Sequence, residues 1–205
     1  KMSNQDAAFG LRPIKTSTSS QRQNRYRIAS GYGTSIFQGD LVLVATDGTI
    51  TRAPAGGTAL ILGVFNGCSY VDSSGDVIYS NYWPASATGT DIFANVVDDP
   101  SATFEIQADA AFPVADLFGN FDIVDATAGS TVSGNSRTEI DVTTGATTAG
   151  LPLKAIDISQ DPENSDVSSA NTNVIVKINN HLFSASTEQV IVDFDKYECN
   201  CQNQQ

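Results

Sequence analysis

Histidine is all but missing: His181 is the only one among 205 residues. Catalysis of the Ser/His/acid kind requires an imidazole beside the nucleophile, and no Gly-x-Ser-x-Gly elbow accompanies this one, near the end of "INNHLF". It reads as a turn or surface residue. Cysteine is scarce as well. Cys68, Cys199 and Cys201 are an odd number that builds no disulfide framework. Cys199-Asn200-Cys201 would need two further ligands to hold zinc, so no metal is expected there. No Gly-rich turn leads into a helix, which excludes the usual phosphate cradles, and no cofactor is expected. A hydrophobic run long enough to cross a bilayer, about 18 residues, is missing, as is the charged-then-apolar pattern of a secretory signal, so no membrane partner is expected. Basic residues are few, 11 against 23 acids, for a net charge of -12. Phosphate neutralisation needs clustered Lys and Arg, so nucleic acid is not expected as a partner of the body.

What is there points to strands. Charged residues make up 17% of the chain, while Thr, Ser, Gly, Ala, Asn and Val dominate, the composition of a β-protein with many turns. The expected fold is all-β: an antiparallel β-barrel or sandwich body with an extended N-terminal arm and little helix. Charge divides the chain. Residues 1–27 hold six bases against the single acid Asp6, about +5, and residues 28–205 hold five bases against 22 acids, about -17. Three regions are therefore expected: an arm over 1–27, a body over 28–183 and a C-terminal extension over 184–205. In the arm, Gly10, Pro13 and the Ser/Thr run 16–20 discourage regular structure. Phe9, Leu11 and Ile14 would serve as apolar anchors, and Arg12, Lys15, Arg22, Arg25 and Arg27 would dock on an acidic protein surface. The plainer alternative is a solvated terminus whose charges carry no function.

In the body, "IFQGDLVLVATDGTITRAP" at 36–54 predicts a hairpin, with Asp47-Gly48 supplying the positive φ of a two-residue turn. Because a lone hairpin is only marginally stable, its apolar face needs covering. A second hairpin turns at Ser73-Ser74-Gly75-Asp76. Strands are predicted at 59–67, 91–100, 102–108, 137–142, 151–159 and 173–183, with one helical turn near Val114 to Leu117. "ATFEIQA" alternates Phe104, Ile106 and Ala108 against Glu105 and Gln107, the mark of a half-buried strand.

Acids are plentiful enough to raise two chemical readings. Asp98-Asp99, Asp157-Asp161 and Asp193-Asp195 could each supply a carboxylate pair for glycoside hydrolysis, although such residues are ordinarily turn formers, and no pair stands out. "DFDKYE", with Asp193, Asp195 and Glu198, approaches calcium-ligand spacing without the Gly or the full set of oxygen donors. The protein is therefore expected not to be an enzyme. Tyr79, Tyr82 and Trp83, beside Pro84, form the densest aromatic cluster. Such a cluster serves as a core plug, a subunit interface or a carbohydrate platform.

The stretches "NQDAAFGLRPI", "SGYGTSIFQGDLV", "ILGVFNGCSYVDSSGDVIYSNYWPAS" and "VIVKINNHLF" resemble virion structural proteins of marine and freshwater tailed bacteriophages, of the head decoration or capsid cement type. The resemblance runs from residue 3 to about 183 and leaves out the tail beyond 184. It implies a β-barrel that sits as a homotrimer on the outer surface of an icosahedral head and binds the major capsid protein, after assembly in the host cytoplasm. It also implies that the basic arm acts as a clip between neighbouring subunits and that the region around Trp83 is a subunit contact. The competing expectation is a receptor- or carbohydrate-binding module of a phage tail or fibre, which would also be acidic, β-rich and aromatic at a loop.

Overall fold

The computed structural model describes residues 4–15, 22–125 and 129–184. In chain order its strands are β1 (Arg12–Lys15), β2 (Gln23–Arg27), β3 (Ile36–Phe37), β4 (Leu41–Val44), β5 (Ile50–Arg52), β6 (Gly63–Val71), β7 (Val77–Ser80), β8 (Tyr82–Trp83), β9 (Thr90–Val97), β10 (Thr103–Gln107), β11 (Asn120–Val124), β12 (Glu139–Ala146), β13 (Leu153–Ile158) and β14 (Asn173–Ile178). A 3-10 turn at Val114–Asp116 stands where the helical turn was expected. The fold is all-β. One sheet runs β1-β10-β14-β13-β11-β12, a second runs β2-β9-β6-β4-β5 with β7 also on β6, and β3 and β8 form a two-stranded ribbon.

Two apolar clusters hold these layers together. Phe104, Ile106, Phe121, Ile140, Val174 and Val176 of the first sheet pack with Leu41, Val64 and Val97 of the second. Val42, Phe65, Ala94 and Val96 of the second sheet pack instead with Ile36 and Trp83 of the ribbon. Neighbouring side chains on a strand point to opposite faces, so Leu41 and Val42 serve different cores. This makes β4 a wall between the two cores, which is why its sequence is an unbroken apolar run rather than an alternation.

The first hairpin departs from expectation in its turn. Ala45 N–H donates to Thr49 C=O at 2.8 Å and Gly48 N–H to Ala45 C=O at 3.0 Å, leaving a three-residue loop rather than a two-residue one. Gly48 alone in that loop takes the left-handed conformation, φ 78°, as a type I turn closed by a bulge requires. The second hairpin forms as expected, with Val71 opposite Val77.

The leading segment differs most. Far from lacking regular structure, it contributes β1, paired with β10, and β2, paired with β9, one to each large sheet. Leu11 is 2% exposed and belongs to the inter-sheet core. Gly10 and Pro13 discourage helix but not this edge strand: Gly10 takes φ 71°, and Pro is tolerated where an edge bulges, as β1 does between Pro13 and Lys15. The same segment corrects the reading of β10. Glu105 and Gln107, expected to face water, are 6% and 1% exposed. Arg12 pairs with Glu105, while Gln107 accepts from Ala7 N–H at 3.0 Å and donates to Gln5 C=O at 2.9 Å. The polar half of the strand is buried by its own N-terminus.

Candidate docking surface

The basic residues of the leading segment divide into two groups. Arg12 and Arg22 are engaged with the body. Arg12 lies over the Phe9 ring, 4.7 Å from its centroid, besides its ion pair with Glu105, which also accepts a hydrogen bond from Ser159 Oγ. Arg22 grips Asp98 with both ends of its fork, at 3.0 and 3.3 Å, and Asn24 and Tyr26 donate to the same carboxylate at 2.8 and 2.5 Å. Burial by itself would push the Asp98 carboxyl up. The hydrogen bonds from Arg22, Tyr26 and Asn24, with the charge of Arg22, outweigh it and hold the group below the usual carboxylate range. Tyr26, desolvated and donating to Asp98, is pushed up to about 12. Of Lys15 the backbone is paired, opposite Thr103.

Arg25 and Arg27 are the second group. They alternate with the half-buried Tyr26 and so emerge on the exposed face of β2. Their guanidinium carbons lie 4.2 and 5.0 Å from the centroid of the Phe93 ring, and neither has a carboxylate partner among the described residues. Cross-strand partners share a face. The register Arg27, Phe93, Ser69, Tyr79 therefore lays one row across β2, β9, β6 and β7. It begins with Arg27, with Arg25 beside it on the same face, and ends with a tyrosine that is 82% exposed. Phe93 and Ser69 were missed in the sequence. The alternation of Ile92, Ala94 and Val96 inward against Phe93 and Asn95 outward in β9 is the signal that points to Phe93.

The aromatic cluster is not one surface. Trp83, expected as a candidate subunit contact, is 0% exposed and packs edge-on against Tyr70 at 5.2 Å, because β3 and β8 bring it over the second core. It is the core plug, and a side chain enclosed by its own chain offers nothing to a neighbour. Tyr82 is half-buried and stacked on Phe37 at 5.4 Å. Tyr79 alone of the three stands free in solvent.

The acid pairs separate as well. Asp98 is enclosed while its neighbour Asp99 turns to Ser101. Asp161 accepts from Asn173 and Glu163 N–H, and Asp157 caps Ile158 N–H. Another buried acid, Asp40, accepts from Arg52 at 3.1 Å, Ser136 at 2.5 Å and Phe37 N–H at 2.8 Å. Its desolvation outweighs these partners and raises its pKa. His181, expected at a turn or surface, is 2% exposed. Its Nδ1 accepts from Phe183 N–H at 3.0 Å, and its Nε2 is buried without a hydrogen-bond partner among the described residues. Asp193, Asp195, Glu198, Cys199 and Cys201 lie outside the described residues, as does the C-terminal extension beyond Ser184.

These features define a class: an all-β sandwich braced by its own leading segment, with carboxylates locked inside and a basic, aromatic row outside. No family model, curated protein or solved structure matches the chain.

Proposed function

We propose that this protein is a non-enzymatic virion component, a capsid decoration or cement protein that binds the outer surface of a tailed-phage head as a homotrimer and bridges neighbouring major capsid proteins. The observation that carries the reading is the pair Arg25 and Arg27, which lie over Phe93 without a carboxylate partner among the described residues, on a chain of net charge -12. A solvent-exposed, aromatic-backed guanidinium is the kind of group that anchors protein interfaces once a partner covers it. A rigid body with such a face suits a clip, because repeated weak contacts become effectively intramolecular once the first is made. The clip differs from the one expected of a free arm. Leu11, Arg12 and Arg22 brace the body, and docking falls to Arg25, Arg27 and the row beyond them.

The test is to mix the purified protein with expanded heads that lack it, sediment them and count copies bound. Saturation at a stoichiometry matching the three-fold positions is expected. Absence of binding at any concentration refutes the cement reading.

A further inference from the structure

Only five bases follow residue 27, namely Arg52, Arg137, Lys154, Lys177 and Lys196, and the first sheet sets two of them face to face. Lys154 of β13 lies directly opposite Lys177 of β14. Both alternate with buried neighbours, Leu153 and Ala155 on one strand and Val176 and Ile178 on the other, so both stand half-buried on the outer face of the sheet. Lys154 Nζ donates to the Phe118 carbonyl at 3.2 Å, and neither ammonium has a carboxylate partner among the described residues. Like charges directly opposite each other on a ladder destabilise it. Among the described residues nothing offsets this pair, on a chain of net charge -12.

The sequence beyond Ser184 holds a matching pattern. It runs through "EQVIVDFDKYE", where Asp193 and Asp195 stand two apart. Extended backbone puts such residues on one face, about 6.6 Å from each other, and facing Cα atoms across a ladder are about 5 Å apart. Two carboxylates therefore meet two ammonium groups on long, adaptable stems. Ile191 falls on the same face as the aspartates, as the half-buried Ile175 does beside Lys177. Length permits the contact. From Lys177 to Ser184 is at most about 25 Å of chain, shortened by a turn in which Ser184 N–H donates to His181 C=O at 3.0 Å, while from Ser184 to Asp193 the chain reaches about 30 Å.

We propose that the segment 191–195 of the same chain docks on the outer face of β13 and β14, with the Asp193 and Asp195 carboxylates on the Lys154 and Lys177 ammonium groups. Charge selects this occupant. The other stretches outside the described residues, 1–3, 16–21 and 126–128, hold no acid. The contact offsets the lysine pair from within the chain and leaves Arg25 and Arg27 as the basic groups offered to a partner. It goes beyond the cement reading and is tested on the isolated protein, so its failure is distinct from a failure to bind heads.

Lys196 is the one Lys or Arg after Lys177, so trypsin cleavage after it reads whether the segment is docked. The experiment follows that cleavage in the full chain at rising salt, with each rate normalised to a free peptide of the same 185–205 sequence. The wild type is expected to be cut several-fold more slowly than its peptide at low salt, and to lose that protection as salt screens the pairs. Lys154→Gln with Lys177→Gln, and separately Asp193→Asn with Asp195→Asn, are expected to raise the rate at least about twofold. All four changes together should raise it no further, the mark of one shared contact. The lysine variant is expected to keep the wild-type thermal midpoint, because it removes a like-charge opposition. A carbodiimide, which joins touching ammonium and carboxylate groups, is expected to link Lys154 or Lys177 to Asp193 or Asp195. A wild type cut as fast as its peptide refutes the proposal, as does a rate unmoved by the lysine changes. Cross-links that form only between light and heavy isotope-labelled chains in a mixture would place the segment on a neighbour and overturn docking within one chain.

Discussion

Asp98 places a carboxylate inside the fold and surrounds it with three side chains from one short stretch, Arg22, Asn24 and Tyr26. Replacing it with Ala leaves Tyr26 and Asn24 without their acceptor, and a loss of about 1–3 kcal/mol is expected in equilibrium unfolding. Since its folded pKa lies below the unfolded one, its stabilisation is complete above the ordinary carboxylate value and disappears as pH falls through the folded value. His181 acts at higher pH. Burial lowers its pKa, against an opposing pull from Asp98, so the unfolded chain takes up a proton first. Its contribution is complete above about 6.5 and is lost as pH falls below that. Asp40, with a raised pKa, has the opposite sign: stability falls as pH rises through its folded value. Because His181 is the only histidine, a single change isolates its share. His181→Gln is expected to flatten the decline of thermal midpoint just below pH 6.5 and leave the acid limb, and an unaltered profile would show that the imidazole is not kept neutral by the fold.

At the level of elements, strands were legible wherever one face or both were buried by distant chain: β4, β9, β13 and β14 announce themselves by apolar runs or alternation. β1 and β2 were not legible, because "RPIK" and "QNRYR" are edge strands whose pattern reflects the devices that protect an edge rather than a buried face. Burial of Glu105 and Gln107 could not be read locally either, since their partners lie about a hundred residues away in the leading segment. The positions of Phe93 and Tyr79 were half legible: period two gives their face, but only the register across four strands joins them. Two predictions belong here. Leu11→Ala, in a segment whose sequence predicts no regular structure, should cost about 2–5 kcal/mol, as a fully buried leucine does; a loss below about 0.5 kcal/mol would mean that the segment merely rests on the body. Gly63→Ala is expected to cost about 1–3 kcal/mol or more. A Cβ there would press into the Val97 carbonyl oxygen and lie 2.9 Å from Val96 Cγ1, forcing β6 from β9.

For the molecule as a whole, the distribution of charge separates bracing from docking. The chain carries -12 overall, yet its leading segment is basic, and the fold engages part of that positive charge internally through Arg12 and Arg22. If the remaining arginines meet carboxylates on a shell, attachment must weaken with salt, because exposed pairs are screened over about 8–10 Å at moderate ionic strength. The arginines should then be separable by experiment. Arg22→Ala is expected to lower the thermal midpoint by uncovering Asp98, with the salt slope of head binding unchanged. Arg25→Ala with Arg27→Ala should leave the midpoint within about 1 kcal/mol of wild-type stability, as surface changes do. It should weaken each contact by about 0.2–1 kcal/mol per arginine and flatten the salt slope. Sedimentation of heads with each variant at increasing salt reads both effects. A slope that stays steep without Arg25 and Arg27 would move electrostatic docking away from β2 and leave the row from Phe93 to Tyr79 to bind by its apolar surface alone.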